Sequence, residues 1–209
     1  MSEDDALAAT STTVAATTVK IPEFWVDIYI YIDDVLIASP DRQTHMRHLR
    51  LVLDRLRANG LTVNPAKCVF GASTVSFLGH SVSAAGIAPL PHHVEAVLQF
   101  PPPPDRKQLQ VFLGMLNFYR RFLPSAARIL LPLTDALRGK GVLHWTDNMT
   151  SAFTSAKQAL ASATVLVHPR KKSPLCLAVD ASGTHVGAVL QQWVSGLWQP
   201  LSFYSAKLS

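Results

Sequence analysis

Two adjacent aspartates, Asp33 and Asp34, are the residues of this sequence whose type and spacing best suit chemistry. They interrupt an apolar run, since Tyr31 and Ile32 precede them and residues 35–38 are all apolar. Like charges side by side repel, and a plain turn has no need of both, so the pair favours a bound cation. Mg²⁺ takes oxygen ligands and keeps open positions for waters and phosphates, as nucleotidyl transfer requires. The alternative interpretation is a solvated acidic turn.

Two further positions combine suitable side chains. Tyr119, Arg120 and Arg121 place guanidinium groups beside aromatic rings, a combination that suits phosphates and stacked bases. A solvated helix end, where cations meet the negative end of the macrodipole, is the alternative. Asp180 follows an apolar segment, and a lone aspartate at a strand end is usually a turn former.

The elements that must position the aspartate pair are predicted to be two strands, 25–32 and 35–38, on either side of a tight turn. A helix follows, capped by Asp41 or Thr44 and ended by Gly60. Residues 61–64 and 75–83 are then predicted as strands. This first part of the chain is therefore mixed helix and strand.

The second half is predicted to be helical and then to return to strands. Helices are expected at 91–100, after Asp105, at 126–137 and from 145–147 onward, and the prolines 101–104 form a stiff connector. Strands are expected at 175–179, 186–193 and 198–205, with a turn at Ser195 and Gly196. The predicted fold class is α+β.

Composition limits the alternatives. The chain has 209 residues, is 48% hydrophobic and carries a formal net charge of +5, which favours a polyanionic partner without requiring one. Cys68 and Cys176 lie far apart, so neither a zinc site nor a disulfide framework is indicated. No apolar run reaches the roughly 20 residues of a membrane helix, so no membrane partner is expected. Residues 1–20, acidic and then rich in Ala, Thr and Ser, are predicted to be a disordered tail.

The segment Tyr31-Ile32-Asp33-Asp34 resembles the YxDD hairpin of reverse transcriptases, and residues 24–209 are similar to the polymerase of gypsy-like long-terminal-repeat retrotransposons. The segments that carry the resemblance in the first half are His45-Met46-Arg47-His48-Leu49, Gly60-Leu61-Thr62-Val63-Asn64, Lys67-Cys68 and Val75-Ser76-Phe77-Leu78-Gly79-His80. Those in the second half are Phe112-Leu113-Gly114, Asn117-Phe118-Tyr119-Arg120-Arg121-Phe122, Pro132-Leu133-Thr134, His144-Trp145-Thr146 and Asp180-Ala181-Ser182 with Gly187-Ala188-Val189-Leu190.

The resemblance implies a role for each candidate residue. Asp33 would contact the metal directly, Asp34 would support it, and Tyr31 would lie against the primer end. A hairpin that holds the primer terminus would contain four residues, Phe77, Leu78, Gly79 and His80. The alternative for that segment is a core strand with a glycine bulge.

The second half carries implied roles as well. Tyr119, Arg120 and Arg121 would belong to the polymerase thumb and contact nucleic acid, and Asp180 would be the first catalytic aspartate and a metal ligand of the ribonuclease H domain. The implied cofactor is Mg²⁺ or Mn²⁺. The implied partners are an RNA or DNA primer–template and the rest of the Pol polyprotein, inside the cell, in a cytoplasmic virus-like particle or in the nucleus.

The resemblance also implies a segment plan: a partial palm at 21–88, a helical thumb at 89–138, a connection at 139–172 and the start of a ribonuclease-H-like domain at 173–209. The set of catalytic carboxylates that the resemblance implies is incomplete in both the palm and the ribonuclease-H-like part. A palm brings a third aspartate from an upstream strand, and Asp27 lies six residues before Asp33 on the same strand, too far along to replace it. Asp180 also lacks its later acidic partners. Two hypotheses follow: a reverse transcriptase with ribonuclease H that is inactive as this isolated chain, or a non-catalytic remnant that at most binds nucleic acid.

Overall fold

The computed structural model describes residues 13–17, 27–139 and 142–208 and divides into two compact units, Met1–Ala84 and Ala85–Ser209. The first unit pairs strands with one long helix, and the second combines several helices with an antiparallel sheet. The predicted α+β fold is therefore confirmed. Within these ranges, no helix is both long and apolar enough to cross a bilayer.

The first unit is built on a mixed sheet. In the described residues this sheet contains β1 (Thr13–Thr17), β2 (Asp27–Tyr31), β3 (Asp34–Ala38) and β4 (Val69–Ala72), in the spatial order β2-β3-β1-β4. Strands β2 and β3 form an antiparallel hairpin, whereas β1 runs parallel to both β3 and β4. The two strands predicted around the aspartate pair are confirmed.

Strand β1 corrects the prediction of a disordered tail over residues 1–20. It pairs along its whole length with β3, from Thr13 beside Asp34 to Thr17 beside Ala38. Three of its five residues are β-branched, which suits a strand, but a sequence so rich in Ala and Thr shows little periodicity. Neighbouring strands on both edges supply the pairing that the composition did not reveal. The rest of the predicted tail lies outside the described residues.

One long helix covers one face of this sheet. Helix α1 (Arg42–Ala58) is capped by Asp41, whose carboxylate accepts a 2.8 Å hydrogen bond from the Thr44 amide, and Gly60 follows its end with φ of 69°. Both boundaries agree with the prediction. Its apolar side packs on β3 through a cluster of Leu49, Val52 and Leu56 with Val35 and Ile37.

The opposite face of β3 packs on a hairpin. Residues 75–83 were predicted as one strand, but they form two, β5 (Thr74–Phe77) and β6 (His80–Ser83), which pair antiparallel. Leu78 and Gly79 make the turn between them. The predicted strand at 61–64 is wrong, because only an isolated bridge at Val63 is present before the short 3₁₀ turn Pro65–Lys67.

The second unit contains the main apolar core. After β7 (Gly86–Pro89) come α2 (Pro91–Leu98), α3 (Arg106–Phe118), α4 (Ala126–Arg138) and α5 (Asp147–Ala161), so each predicted helix is confirmed. Its largest fully buried side chains include Leu109, Phe112, Leu116, Phe122, Leu133 and Leu160. The Phe112 ring lies between Phe153 and Phe100, with centroid distances of 4.5 and 5.5 Å.

An antiparallel sheet follows the helices. Its strands are β8 (Leu175–Ala181), β9 (His185–Val194) and β10 (Leu197–Lys207), in the order β10-β9-β8, and all three were predicted. The predicted turn at Ser195 and Gly196 has φ of 52° and 83°. Strand β8 lies at the edge of the sheet, and its apolar side chains remain open to solvent. The sheet is therefore covered on only part of its surface.

Candidate nucleic-acid interface and carboxylate hairpin

The tip of the β2–β3 hairpin holds the aspartate pair. Tyr31 pairs with Asp34, so the two-residue turn consists of Ile32 and Asp33. Ile32 has φ of 54°, a conformation that a β-branched side chain rarely adopts. Such strain persists where surrounding structure holds it, and it is concentrated at functional sites. Asp33 is exposed at the tip and Asp34 is half-buried.

The register of the hairpin defines a face. Cross-strand partners point to the same side of a sheet, and side chains alternate along a strand, so Tyr31, Asp34 and Leu36 lie on one face. Leu36 packs on Val75 and Val82 of the β5–β6 hairpin. Helix α1 covers the other face. The carboxylate of Asp34 and the β5–β6 hairpin therefore share one side of the sheet.

The β5–β6 hairpin has a tight turn. Leu78 and Gly79 both have positive φ, 46° and 75°, as type I′ turns require, and Leu78 is 39% exposed. The His80 ring nitrogen Nδ1 lies 2.7 Å from the Leu78 carbonyl oxygen, and because a carbonyl only accepts, Nδ1 carries the proton. Phe77 packs beside Val75 and Val82. The structure thus forms a hairpin here and not a single bulged strand.

Strand β1, which pairs with β3 on the side away from β2, has no carboxylate beside Asp34. The residue paired with Asp34 on β1 is Thr13. Within the described ranges, no group of three histidine, cysteine, aspartate or glutamate side chains is placed to hold a metal ion. Asp33 and Asp34 are therefore two carboxylates without a described third.

The three residues at the end of α3 that were expected to contact nucleic acid, Tyr119, Arg120 and Arg121, differ in exposure. Tyr119 is 2% exposed, its hydroxyl lies 2.6 Å from the His93 Nδ1, and burial raises its pKa. Its ring is therefore not available to stack on a base, which argues against the nucleic-acid contact expected of Tyr119. The reason is local: the helix ends at Phe118, and the next residue turns inward against α2.

Arg120 and Arg121 differ in the same way. Arg120 is half-buried and donates a 2.6 Å hydrogen bond to the Ser205 carbonyl oxygen on β10. Arg121 is exposed, with its guanidinium carbon 5.6 Å from the Phe122 ring centroid. Phe118, at 52% exposure, is the accessible aromatic residue in this segment. The helical pattern of apolar residues in α3 signals neither difference, because the segment leaves the helix at this point.

Asp180 is exposed near the end of β8 and pairs with Gly187 of β9. The turn after it is closed by Ser182, whose hydroxyl oxygen accepts a 3.1 Å hydrogen bond from the His185 amide. Among the described residues, Asp180 belongs to no group of three histidine, cysteine, aspartate or glutamate side chains that could hold a metal ion. The structure thus places Asp180 on the outer strand of this three-stranded sheet.

A buried pair of histidines in the first unit was not singled out from the sequence. His45 and His48, one helical turn apart on α1, are 4% and 5% exposed and both approach the Ser39 hydroxyl, at 3.2 and 2.9 Å. Desolvation by burial lowers the pKa of His45, and the neighbouring His48 lowers it further. The spacing of three residues was the available signal.

Known proteins match both units. Residues 9–82 match the family described as reverse transcriptase (RNA-dependent DNA polymerase), and residues 145–209 match the RNase H-like domain found in reverse transcriptase. The Transposon Tf2-3 polyprotein of Schizosaccharomyces pombe is 37% identical over 183 residues, which is 87% of this chain and 14% of that relative. The chain thus combines a reverse transcriptase region and a ribonuclease-H-like region of a retrotransposon polyprotein. The sequence-based resemblance is confirmed.

Solved reverse transcriptases share the fold. The foamy viral protease-reverse transcriptase dRH in complex with double-stranded DNA matches with a TM-score of 0.79 at 26% identity. The match covers 87% of this chain and 32% of the viral chain. The foamy viral protease-reverse transcriptase in complex with an RNA/DNA hybrid matches with a TM-score of 0.77 at 26% identity, over 87% of this chain and 25% of the viral chain. This retrotransposon chain therefore spans a minor part of each relative.

Proposed function

We propose that the chain is the palm-to-thumb part of an RNA-directed DNA polymerase, followed by the start of its ribonuclease H, and that it binds primer–template without catalysing extension by itself. The observation that carries the proposal is the shared face of Asp34, Tyr31 and the β5–β6 hairpin. On that face Tyr31 would lie against the primer end, and Phe77, Leu78, Gly79 and His80 would hold the primer terminus. The segment plan proposed is a partial palm at 21–88, a thumb at 89–138, a connection at 139–172 and a ribonuclease-H-like start at 173–209.

Asp33 and Asp34 suit a hard divalent cation in donor type, because carboxylate oxygens are the ligands that Mg²⁺ prefers. Asp33, exposed at the tip, would hold the ion, with Asp34 in support. Mg²⁺ or Mn²⁺ would supply Lewis-acid stabilisation of phosphate oxygens when bound. Asp180 would be the corresponding carboxylate of the ribonuclease-H-like part.

We infer that this chain is inactive because only two carboxylates, Asp33 and Asp34, are available to hold the metal ions among the described residues. Two-metal transfer requires both ions and the nucleotide to be held in place together, and the described strand next to Asp34 offers Thr13 in register. Binding needs less, because a surface with charge and stacking area requires no metal geometry. The pairing of Thr13 with Asp34 also supports the alternative, a non-catalytic remnant that at most binds nucleic acid.

Primer extension tests the proposal directly. With a labelled primer on an RNA or DNA template and Mg²⁺ or Mn²⁺, we expect no extension by the 209-residue chain or by its Asp33→Asn variant. Template-dependent incorporation that Asp33→Asn abolishes would contradict the proposed inactivity. In the same preparation we expect no release of RNA fragments from an RNA/DNA hybrid, with Asp180→Asn as the matched variant.

Binding tests the remaining part. An RNA/DNA hybrid should bind with little sequence preference, and Arg121→Gln should lower the slope of log affinity against log salt by about one unit. Lys107→Gln is the matched control, because Lys107 is an exposed cation on α3. Equal salt slopes for wild type and Arg121→Gln, with both proteins folded, would mean that Arg121 is only a solvated residue.

A further inference from the structure

Helix α1 presents a basic surface that the proposed function does not use. It contains five arginines and one acidic residue, Asp54. Successive helical residues are about 100° apart, so Arg47, Arg50 and Arg57 lie opposite the side that packs on β3. All three are exposed. Arg42, Arg47 and Arg50 are together called the α1 basic face below. Arg47 and Arg50 lie on this outer side, and Arg42 is exposed in the first turn of the helix.

Stability of the helix does not account for the α1 basic face. Cations are favourable near a helix C-terminus and unfavourable near the N-terminus, so the macrodipole explains Arg55 and Arg57 but opposes Arg42, the first helical residue. The ion pairs found in the described residues join Asp135 to Arg138 and to Lys207, and none involves an arginine of α1.

The three arginines also line one open groove. The described residues along it all belong to α1 and include the exposed apolar side chains Met46 and Leu51 together with Arg42, Arg47 and Arg50, and the region is wide open to solvent. The nearest carboxylate in sequence, Asp41, accepts hydrogen bonds from the Thr44 amide and hydroxyl, both of 2.8 Å, and the charge of Arg47 also helps to lower its pKa. The other acidic residue close to this face is Asp54.

We propose that the α1 basic face binds the phosphodiester backbone of a nucleic acid, as a second surface on the side of the sheet opposite the β5–β6 hairpin. The two sides follow from packing, since Val35 and Ile37 contact α1 whereas Leu36 contacts the hairpin. Guanidinium groups bind phosphate in a bidentate manner. Residues 42–50 span about 12 Å of helix, a length comparable to about three to four base-pair steps along a duplex axis.

A nucleic acid fits this surface better than an acidic peptide. The exposed Met46 and Leu51, 44% and 61% accessible, lie between the arginines and offer apolar contact to sugars and bases. The proposal goes beyond the polymerase function because it requires neither the aspartate pair nor Arg121. Binding here is expected to be independent of sequence, because phosphates carry no base information.

A charge-matched pair of variants tests the proposal on the full 209-residue chain. Arg47→Gln/Arg50→Gln and the control Lys107→Gln/Arg128→Gln each replace two exposed cations on helices. A labelled single-stranded RNA of about 20 nucleotides is titrated at several salt concentrations between about 50 and 200 mM. We expect the α1 variant to lose about tenfold or more in affinity and about two units of salt slope, and the control to change little. Equal losses in the two variants, or none in the α1 variant, would overturn the proposal.

Three further measurements sharpen the result. Circular dichroism should show unchanged helix content in all variants, because Gln and Arg have similar helix propensity. Arg47→Lys/Arg50→Lys should retain most of the salt slope, since the charge remains. Polyglutamate at equal charge concentration should displace the RNA much less effectively than unlabelled RNA does. If it competes equally, the face binds any polyanion and the assignment to nucleic acid is wrong.

The Arg121→Gln variant separates this proposal from the polymerase function. If losses of salt slope from Arg121→Gln and from Arg47→Gln/Arg50→Gln add, two surfaces bind nucleic acid. If only Arg121→Gln has an effect, the α1 proposal fails and the thumb contact stands. If only the α1 variant has an effect, the α1 proposal stands and the thumb contact fails.

Discussion

The two units organise their apolar residues differently. In the second unit, Phe112, Leu116 and Leu133 belong to one continuous cluster shared by helices α3, α4 and α5. In the first unit, two small clusters lie on either side of β3, one around Ile37 and one around Leu36. The aspartate pair is therefore attached to a sheet with a thin core.

In each unit, the outer strand of the carboxylate-bearing sheet among the described residues remains open to solvent. Ile30 on β2 is 71% exposed, and Leu175 and Leu177 on β8 are each 63% exposed. The helices of the second unit, by contrast, bury most of the apolar side chains that face one another. Stability and candidate chemistry are thus separated along the chain, which is common because functional surfaces must stay accessible.

The largest expected effect tests the continuous core. Phe112→Ala should lower the free energy of unfolding by about 3–5 kcal/mol, because it empties a fully buried site between two other rings. Phe118→Ala on the same helix is the matched control, since that ring is 52% exposed, and about 1 kcal/mol is expected. Urea unfolding measures both. Equal losses would mean that the cluster is not the main stabilising element of this unit.

A smaller effect tests how the helices hold the open sheet. Arg120→Ala should lower the free energy of unfolding by about 1–3 kcal/mol, because it leaves the buried Ser205 carbonyl oxygen without this donor. Arg121→Ala, which removes an exposed guanidinium, should cost less than about 0.5 kcal/mol. The same unfolding measurement compares them. A reversed order would show that Arg120 is not the structural residue of the pair.

The smallest expected effect concerns the thin core of the first unit. The pKa of His45 is lowered in the folded state, so the unfolded chain binds more protons as pH falls through the ordinary histidine range. The contribution of His45 to the free energy of unfolding is therefore fully present above that range. It is lost progressively on acidification, until the pH passes the lowered pKa of the folded state. The thermal midpoint should therefore decrease by a few degrees between about pH 7.5 and pH 5.

Substitution assigns this pH dependence. His45→Gln should flatten the decrease in thermal midpoint, because it removes the buried group that resists protonation. His144→Gln is the control, since His144 is an exposed histidine of the second unit. If the two variants show the same pH dependence as the wild type, the buried histidine pair does not couple protonation to folding.

Much of the local structure was predictable because it depends on nearby residues. Asp41, Asp105 and Thr146 cap the helices that follow them, and apolar spacing predicts the side of each helix that is buried. The hairpin at Asp33 and Asp34 follows from β-branched and aromatic residues on either side of a turn. The resemblance to reverse transcriptases depends on the same short segments.

Tertiary structure decided what short segments could not. Thr13–Thr17 becomes a strand because β3 and β4 pair with both of its edges, although its composition resembles a disordered tail. Tyr119 and Arg121 are two residues apart, yet one is buried and the other exposed, because the helix ends between Phe118 and Arg120 and Tyr119 meets His93. The sequence by itself determined the helices, their caps and the family. Long-range packing determined which predicted contact residues are accessible, since burial depends on neighbours distant in sequence.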